Sequence, residues 1–143
     1  MTFKSTIKHC KRRGEWAELE FMASAAKHGL QVIKPMGDSA SYDAVIENHG
    51  NFLRVQVKST TSLRPEGCYR CNIRPASGLP YQPGDFDFIA AYVIPEDAWY
   101  IIPARLVVGR NKKTAIMLYT ANLTGRWAAY REAWHFLRNP HRH

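Results

Sequence analysis

Asp43, Gln56 and Lys58 are three side chains suited to a charged oxygen substrate, and they fall within one short stretch. Asp43 offers hard carboxylate oxygens, the ligand type that Mg²⁺ prefers. Gln56 offers a neutral amide oxygen or the means to orient a water. Lys58 brings a positive charge beside an attacking water and the phosphate in its transition state. Together they suit metal-assisted hydrolysis of a phosphodiester. Glu18 is a fourth candidate, because helical spacing sets it within an apolar arc, where an acid costs free energy unless it is paired or binds metal. Each group also has a plainer reading. For the first three it is a hairpin with solvated polar ends, and for Glu18 a salt bridge to an Arg or Lys at the core edge.

These groups depend on a hairpin and a helix for their positions. Residues 42–47 are β-prone, 48–51 (Asn-His-Gly-Asn) have turn chemistry, and 52–58 alternate. Strand side chains repeat every two residues, so Leu53, Val55 and Val57 share one face while Phe52, Arg54, Gln56 and Lys58 share the other. Pairing of the two strands brings the end of the second close to Asp43 at the start of the first. Before the hairpin, residues 14–28 read as a helix stopped by Gly29, with Trp16, Leu19, Met22, Ala23 and Ala26 at helical spacing.

Further strands are expected at 30–34, 68–74, 86–95, 99–103 and 115–119, with 99–103 paired to 86–95 across the turn at 96–98. The Pro- and Gly-rich segment 75–84 is irregular, either a mobile flap over a bound strand or, as most such segments are, a plain connection. A second helix is expected over 125–138, with Trp127, Tyr130, Trp134 and Leu137 as its core stripe. The fold class is α/β, an N-terminal helix on a central mixed sheet followed by a C-terminal helix. One domain spans 1–143.

Lys and Arg total 20 against 12 acidic residues, a net charge of +8, which favours a polyanionic partner. Basic residues cluster at Lys4, Lys8, Lys11, Arg12 and Arg13, as an arm that tracks phosphates or as a solvated end, and again at 110–113. Lys11, Arg12, Arg13, Ser59, Arg70 and Arg74 are the candidate DNA contacts. No apolar run approaches the ~20 residues of a membrane helix, and no export signal follows Met1. Three cysteines without such a signal suit reduced thiols in the cytoplasm. Cys68 and Cys71 have the spacing of half a zinc site, with no second pair and with His135, His141 and His143 far along the chain.

A helix with an inward Glu, then a strand with Asp, then a strand with Gln/Glu-x-Lys, is the order of the PD-(D/E)XK nuclease superfamily, which this chain resembles over about residues 13–107. Gly14, Glu18, His28-Gly29, Asp43 and Gln56-Val57-Lys58-Ser59 are similar to the archaeal Holliday-junction resolvases. Gly84-Asp85-Phe86-Asp87-Phe88 and Trp99-Tyr100-Ile101-Ile102-Pro103 are more like the homing endonucleases associated with group I introns and their bacterial relatives. The usual proline before the Asp is replaced by Tyr42. Gln56 stands where a carboxylate is usual, as in the group I intron-type relatives, and it removes one negative charge from the metal site.

The resemblance implies a restriction-endonuclease-like core and a Mg²⁺- or Mn²⁺-dependent DNA endonuclease leaving 5′-phosphate and 3′-hydroxyl ends. It implies Asp43 as central metal ligand, helped by Gln56 and the Val57 carbonyl. Glu18 reaches the same metal directly or through water, and Lys58 steers and helps deprotonate the nucleophilic water. Double-stranded DNA is the expected partner, with copies assembling as a homodimer or tetramer. The alternative is a catalytically inactive DNA-binding module of the same fold, for which Gln56 is the best argument.

Overall fold

The computed structural model describes residues 7–75, 78–109 and 114–139. Lys4, the basic turn at 110–113, His141 and His143 lie outside these residues. The elements in order are α1 (Cys10–Lys27), β1 (Gln31–Ile33), β2 (Ala44–Asn48), β3 (Asn51–Thr60), β4 (Tyr69–Asn72), β5 (Phe88–Val93), β6 (Ala98–Pro103), β7 (Ala115–Leu118) and α2 (His135–Arg138). Five strands form one sheet in the order β1-β2-β3-β5-β6. Its β3–β5 pair is parallel and its other pairs are antiparallel. The expected mixed sheet with a helix at each end of the chain is therefore present. Among the described residues no helix is long and apolar enough to cross a membrane.

The central hairpin forms as its sequence indicates. His49 and Gly50 have φ of 50° and 85°, the two left-handed residues of the tight turn that matches strand twist. The register then runs from Asn48↔Asn51 to Ala44↔Val55. Val55 and Val57 pack under α1 with Ala44 and Ile46. β5 and β6 are buried along their whole length, as their apolar runs require of strands covered on both faces.

The helix α1 differs from expectation in two ways. It starts at Cys10, so Lys11, Arg12 and Arg13 occupy its first turns instead of a free arm. Its buried face is Ala17, Phe21 and Ala25, whereas Leu19 is 57% exposed and Ala23 and Ala26 face solvent. Apolar residues sit on both sides of this helix, so periodicity alone does not choose between them. Phe21 decides, because its ring fills the space against Trp99 and Trp134, at 5.5 and 5.7 Å between centroids. At about 100° per residue, Glu18 then lies at the rim of the buried face beside Ala25.

The other sheet face is covered by a separate two-stranded antiparallel ribbon of β4 and β7. Tyr69, Cys71, Ile116 and Leu118 turn inward onto Ile89, Ala91, Tyr100 and Ile102.

The expected continuous helix at 125–138 is broken. A 3₁₀ turn at Ala128–Tyr130 is followed by Glu132 with φ of 51°, and only His135–Arg138 is α-helical. Trp127 and Tyr130 join the ribbon-side core, while Trp134 and Leu137 join the core under α1. The chain thus wraps around the edge strand β6. Glu132 N–H donates to the Trp99 carbonyl at 2.7 Å, and Glu132 Oε1 accepts from Trp99 N–H at 2.8 Å. Covering the open edge of β6 satisfies backbone groups that a straight helix would leave bare.

Candidate active site

β2 gives out at Ala44, and Asp43 stands just beyond it with its N–H on the Val55 carbonyl at 2.9 Å. In a strand, alternate residues send their N–H and C=O to the same side. Val57, like Val55, therefore aims both groups toward β2, at a level where β2 has ended. The Val57 N–H donates to Asp43 Oδ2 at 2.8 Å instead. Its carbonyl is left facing the same spot, with a 3.5 Å contact from Gln56 Nε2. Gln56 is buried, and its Nε2 donates to the same Asp43 Oδ2 at 2.8 Å. That bond fixes which end of the amide is nitrogen and leaves the amide oxygen as a neutral ligand.

Glu18 reaches this group from α1 and hydrogen-bonds Asp43. Burial and then the Asp43 charge push its carboxyl up to about 7, with Lys34 acting in the opposite sense. Two carboxylates in contact, one tending to keep its proton, together with an amide oxygen and a strand carbonyl that no neighbouring strand takes up, make an all-oxygen set. A hard divalent cation fits that chemistry. Glu18 also carries a pH consequence. Its folded value lies above the usual one, so the folded chain binds more protons than the unfolded chain between about pH 4.5 and pH 7. Metal-free protein is expected to lose stability as pH rises through that window, by about 1 kcal/mol after allowing for solvent screening of a half-buried group. Thermal melts against pH should show this slope in wild type and a flatter one in Glu18→Gln.

Lys58 Nζ donates to the Arg74 carbonyl at 3.0 Å and stands 5.3 Å from the centre of the Tyr81 ring. Burial lowers its pKa, against the opposing pull of Asp43. Glu18, Asp43, Gln56, Val57 and Lys58 are thus brought to one place.

Sequence reasoning missed Tyr81. Its ring stands against Lys58 Nζ, and burial and then the charges of Asp43 and Asp85 push its phenol up to about 12. Hydrogen bonds order residues 82–85 after it and tie them to the hairpin. Arg54 Nη1 donates to the Gly84 carbonyl at 2.6 Å, Ser41 Oγ to the Asp85 carbonyl at 2.9 Å, and Gln82 N–H to Asp85 Oδ2 at 2.8 Å. Arg54 also pairs with Asp87 at 3.2 Å, and Tyr81 meets Phe86 edge-on at 4.9 Å. A lone aromatic among Pro and Gly was the only sequence signal.

The candidate DNA contacts are scattered. Lys11 is exposed and lies two turns before Glu18 on the same side of α1, whereas Arg12 and Arg13 point around the helix. Ser59 falls on the opposite side of β3 from Lys58. Arg70 projects from the ribbon, and Arg74 follows it at the site's edge. Cys68 and Cys71 are buried, and burial pushes the Cys71 thiol up to about 12. Among the described residues no group of three or more His, Cys, Asp and Glu side chains could hold a metal, so an ion at Asp43 would rest on two carboxylates and neutral oxygens.

A family model described as PD-(D/E)XK endonuclease matches residues 8–137. The structure is similar to that of a bacterial homing endonuclease, I-Ssp6803I, with 32% identity, a TM-score of 0.78 and 94% of each chain covered. It is similar in fold to Hjc, a Holliday junction resolvase from the archaeal hyperthermophile Archaeoglobus fulgidus, at 18% identity and a TM-score of 0.50, covering 73% of this chain and 83% of that one. No curated protein sequence matches the chain.

Proposed function

The chain belongs to the PD-(D/E)XK endonuclease family and has its restriction-endonuclease-like fold, and from that premise we propose that it is a metal-dependent endonuclease hydrolysing phosphodiester bonds in double-stranded DNA. The observation that carries this reading is the meeting of Glu18 and Asp43, two acids from separate elements, beside an amide oxygen, the Val57 carbonyl and a desolvated lysine. Asp43, Glu18, Gln56 and the Val57 carbonyl would hold Mg²⁺ or Mn²⁺, which supplies Lewis-acid polarisation of the phosphate and a more acidic water.

The chain's own groups do the rest. Two N–H donors hold the Asp43 carboxylate in place. One Lys58 proton is committed to the Arg74 carbonyl, which leaves two for the attacking water and a phosphate oxygen. Tyr81 walls the lysine on one side. A centre of this kind cuts one strand, so we place two copies of the chain on a duplex that is cut through. The likeness to a homing endonuclease over 94% of both chains favours site-specific cutting over junction resolution.

Gln56 favours one other reading, a DNA-binding module of the same fold without catalysis. Supercoiled and linear DNA incubated with Mg²⁺ or Mn²⁺ distinguishes them. Wild type is expected to nick and linearise plasmid, and Asp43→Ala to do neither. Equal inertness of both across varied duplexes, with DNA binding indifferent to metal, would establish the second reading instead.

A further inference from the structure

The ribbon of β4 and β7 has an outer face that the catalytic centre does not use. Burial alternates strictly along 69–74, with Tyr69, Cys71 and Ile73 inward and Arg70, Asn72 and Arg74 outward. On the partner strand Met117 pairs across from Arg70 and is 39% exposed, and Tyr119 beyond it is 44% exposed. The outer face thus carries two guanidiniums, a carboxamide, a thioether and a phenol. No outward residue of either strand is acidic, and among the described residues neither arginine is paired with a carboxylate. Asn72 Oδ1 accepts the Arg74 N–H at 2.9 Å, which leaves the Asn72 amide to donate outward. The face begins at the proposed centre, because the carbonyl of Arg74 itself accepts the Lys58 bond. Its other end is braced on β3, where Thr60 Oγ1 donates to the Arg70 carbonyl at 2.6 Å.

We propose that this ribbon lies in the DNA major groove next to the cut and reads base edges there, with Arg70 as the principal specificity-determining residue. The inference rests on the nuclease reading for the position of the cut, but not for the recognition itself. The major groove admits a two-stranded ribbon, and an outward arginine on it can pair bidentately with guanine while Met and Tyr meet thymine methyls. From Arg74 to Arg70 is four strand residues, about 13 Å. That span matches about four base-pair steps. Arg70 therefore reads about four base pairs from the scissile phosphate, and Arg74, beside it, contacts the backbone.

The test uses the full chain and a random duplex library. Cut sites are sequenced for wild type and Arg70→Ala, and metal-free pools retained by each are sequenced in parallel. The expected result is a wild-type preference at a position about four base pairs from the cut, relaxed about 5- to 150-fold in Arg70→Ala. Met117→Thr is expected to shift a neighbouring position, and it serves in place of Arg70→Ala if that variant does not fold. Loss of binding by the same factor on every sequence would overturn the proposal in favour of a phosphate contact. A changed oligomeric size with unchanged preference would overturn it in favour of a contact between copies, and a wild-type pool without any preference would overturn it outright. Should nothing be cut but the retained pool show an Arg70-dependent preference, the nuclease reading fails and the ribbon inference stands.

Discussion

Lys58→Met is expected to lower single-turnover cleavage by about 10³-fold while leaving metal binding close to wild type. Methionine keeps most of the unbranched apolar stem of lysine, so little of the volume at the site changes. What is lost is the ammonium, held between the Arg74 carbonyl and the Tyr81 ring in a setting that already disfavours its charge. A positive group kept in such a place is worth most when negative charge develops nearby, because little solvent competes with it. Lys58→Arg should not restore the rate, since a planar fork cannot take up the same single bond in the same space. Asp43→Ala differs in kind, for it removes the carboxylate that Gln56 and Val57 orient and should abolish metal binding and cleavage together. Metal binding is read from the rise in melting temperature on adding Mg²⁺, which follows affinity for the folded chain. A Lys58→Met protein that cuts within tenfold of wild type would remove lysine from the mechanism.

Gln56→Glu is expected to destabilise the metal-free protein by about 2–4 kcal/mol and to raise metal affinity at least about tenfold. The wild-type amide donates to Asp43 Oδ2 at 2.8 Å from a buried position. A carboxylate there replaces a donor with a second acceptor, facing Asp43 at contact distance with Glu18 already alongside. Like charges so close cannot all ionise, so one acid takes a proton or the fold loosens. A divalent cation reverses the sign, because the third carboxylate becomes one more charged ligand. Melting curves with and without Mg²⁺ should therefore cross, the variant lower than wild type without metal and recovering most of the difference with it. Equal melting of the two proteins without metal would mean that Gln56 does not neutralise the site as its hydrogen bond indicates.

Gln56 also marks how far the sequence carries. Its amide, Lys58 two residues on and Asp43 before the turn were placed by the strict alternation of β3 and the Asn-His-Gly-Asn turn, both local features. Glu18 is legible as an acid in an apolar arc, although the part of that arc through Leu19 and Ala23 is the solvent side. Tyr81 was not legible, because its place depends on Arg54, Ser41 and Asp85 pinning a loop whose own sequence says only that it is irregular.

By itself the sequence determined the strand periods, the turn, the order of Glu, Asp and Gln-x-Lys, the basic balance and the pairing of the apolar runs that became β5 and β6. The periods and the turns are set by neighbours two to four residues apart, and the order and the charge are carried by the chain itself. Tertiary structure alone decided which face of α1 is buried, that β4 leaves the main sheet to pair with β7, and that the Trp127–Leu137 stripe divides around the edge of β6. In each of those cases the chain offered two solutions of similar local cost. The choice fell to groups distant in sequence: the aromatic space around Phe21, the uncovered face of the sheet and the unpaired backbone of Trp99.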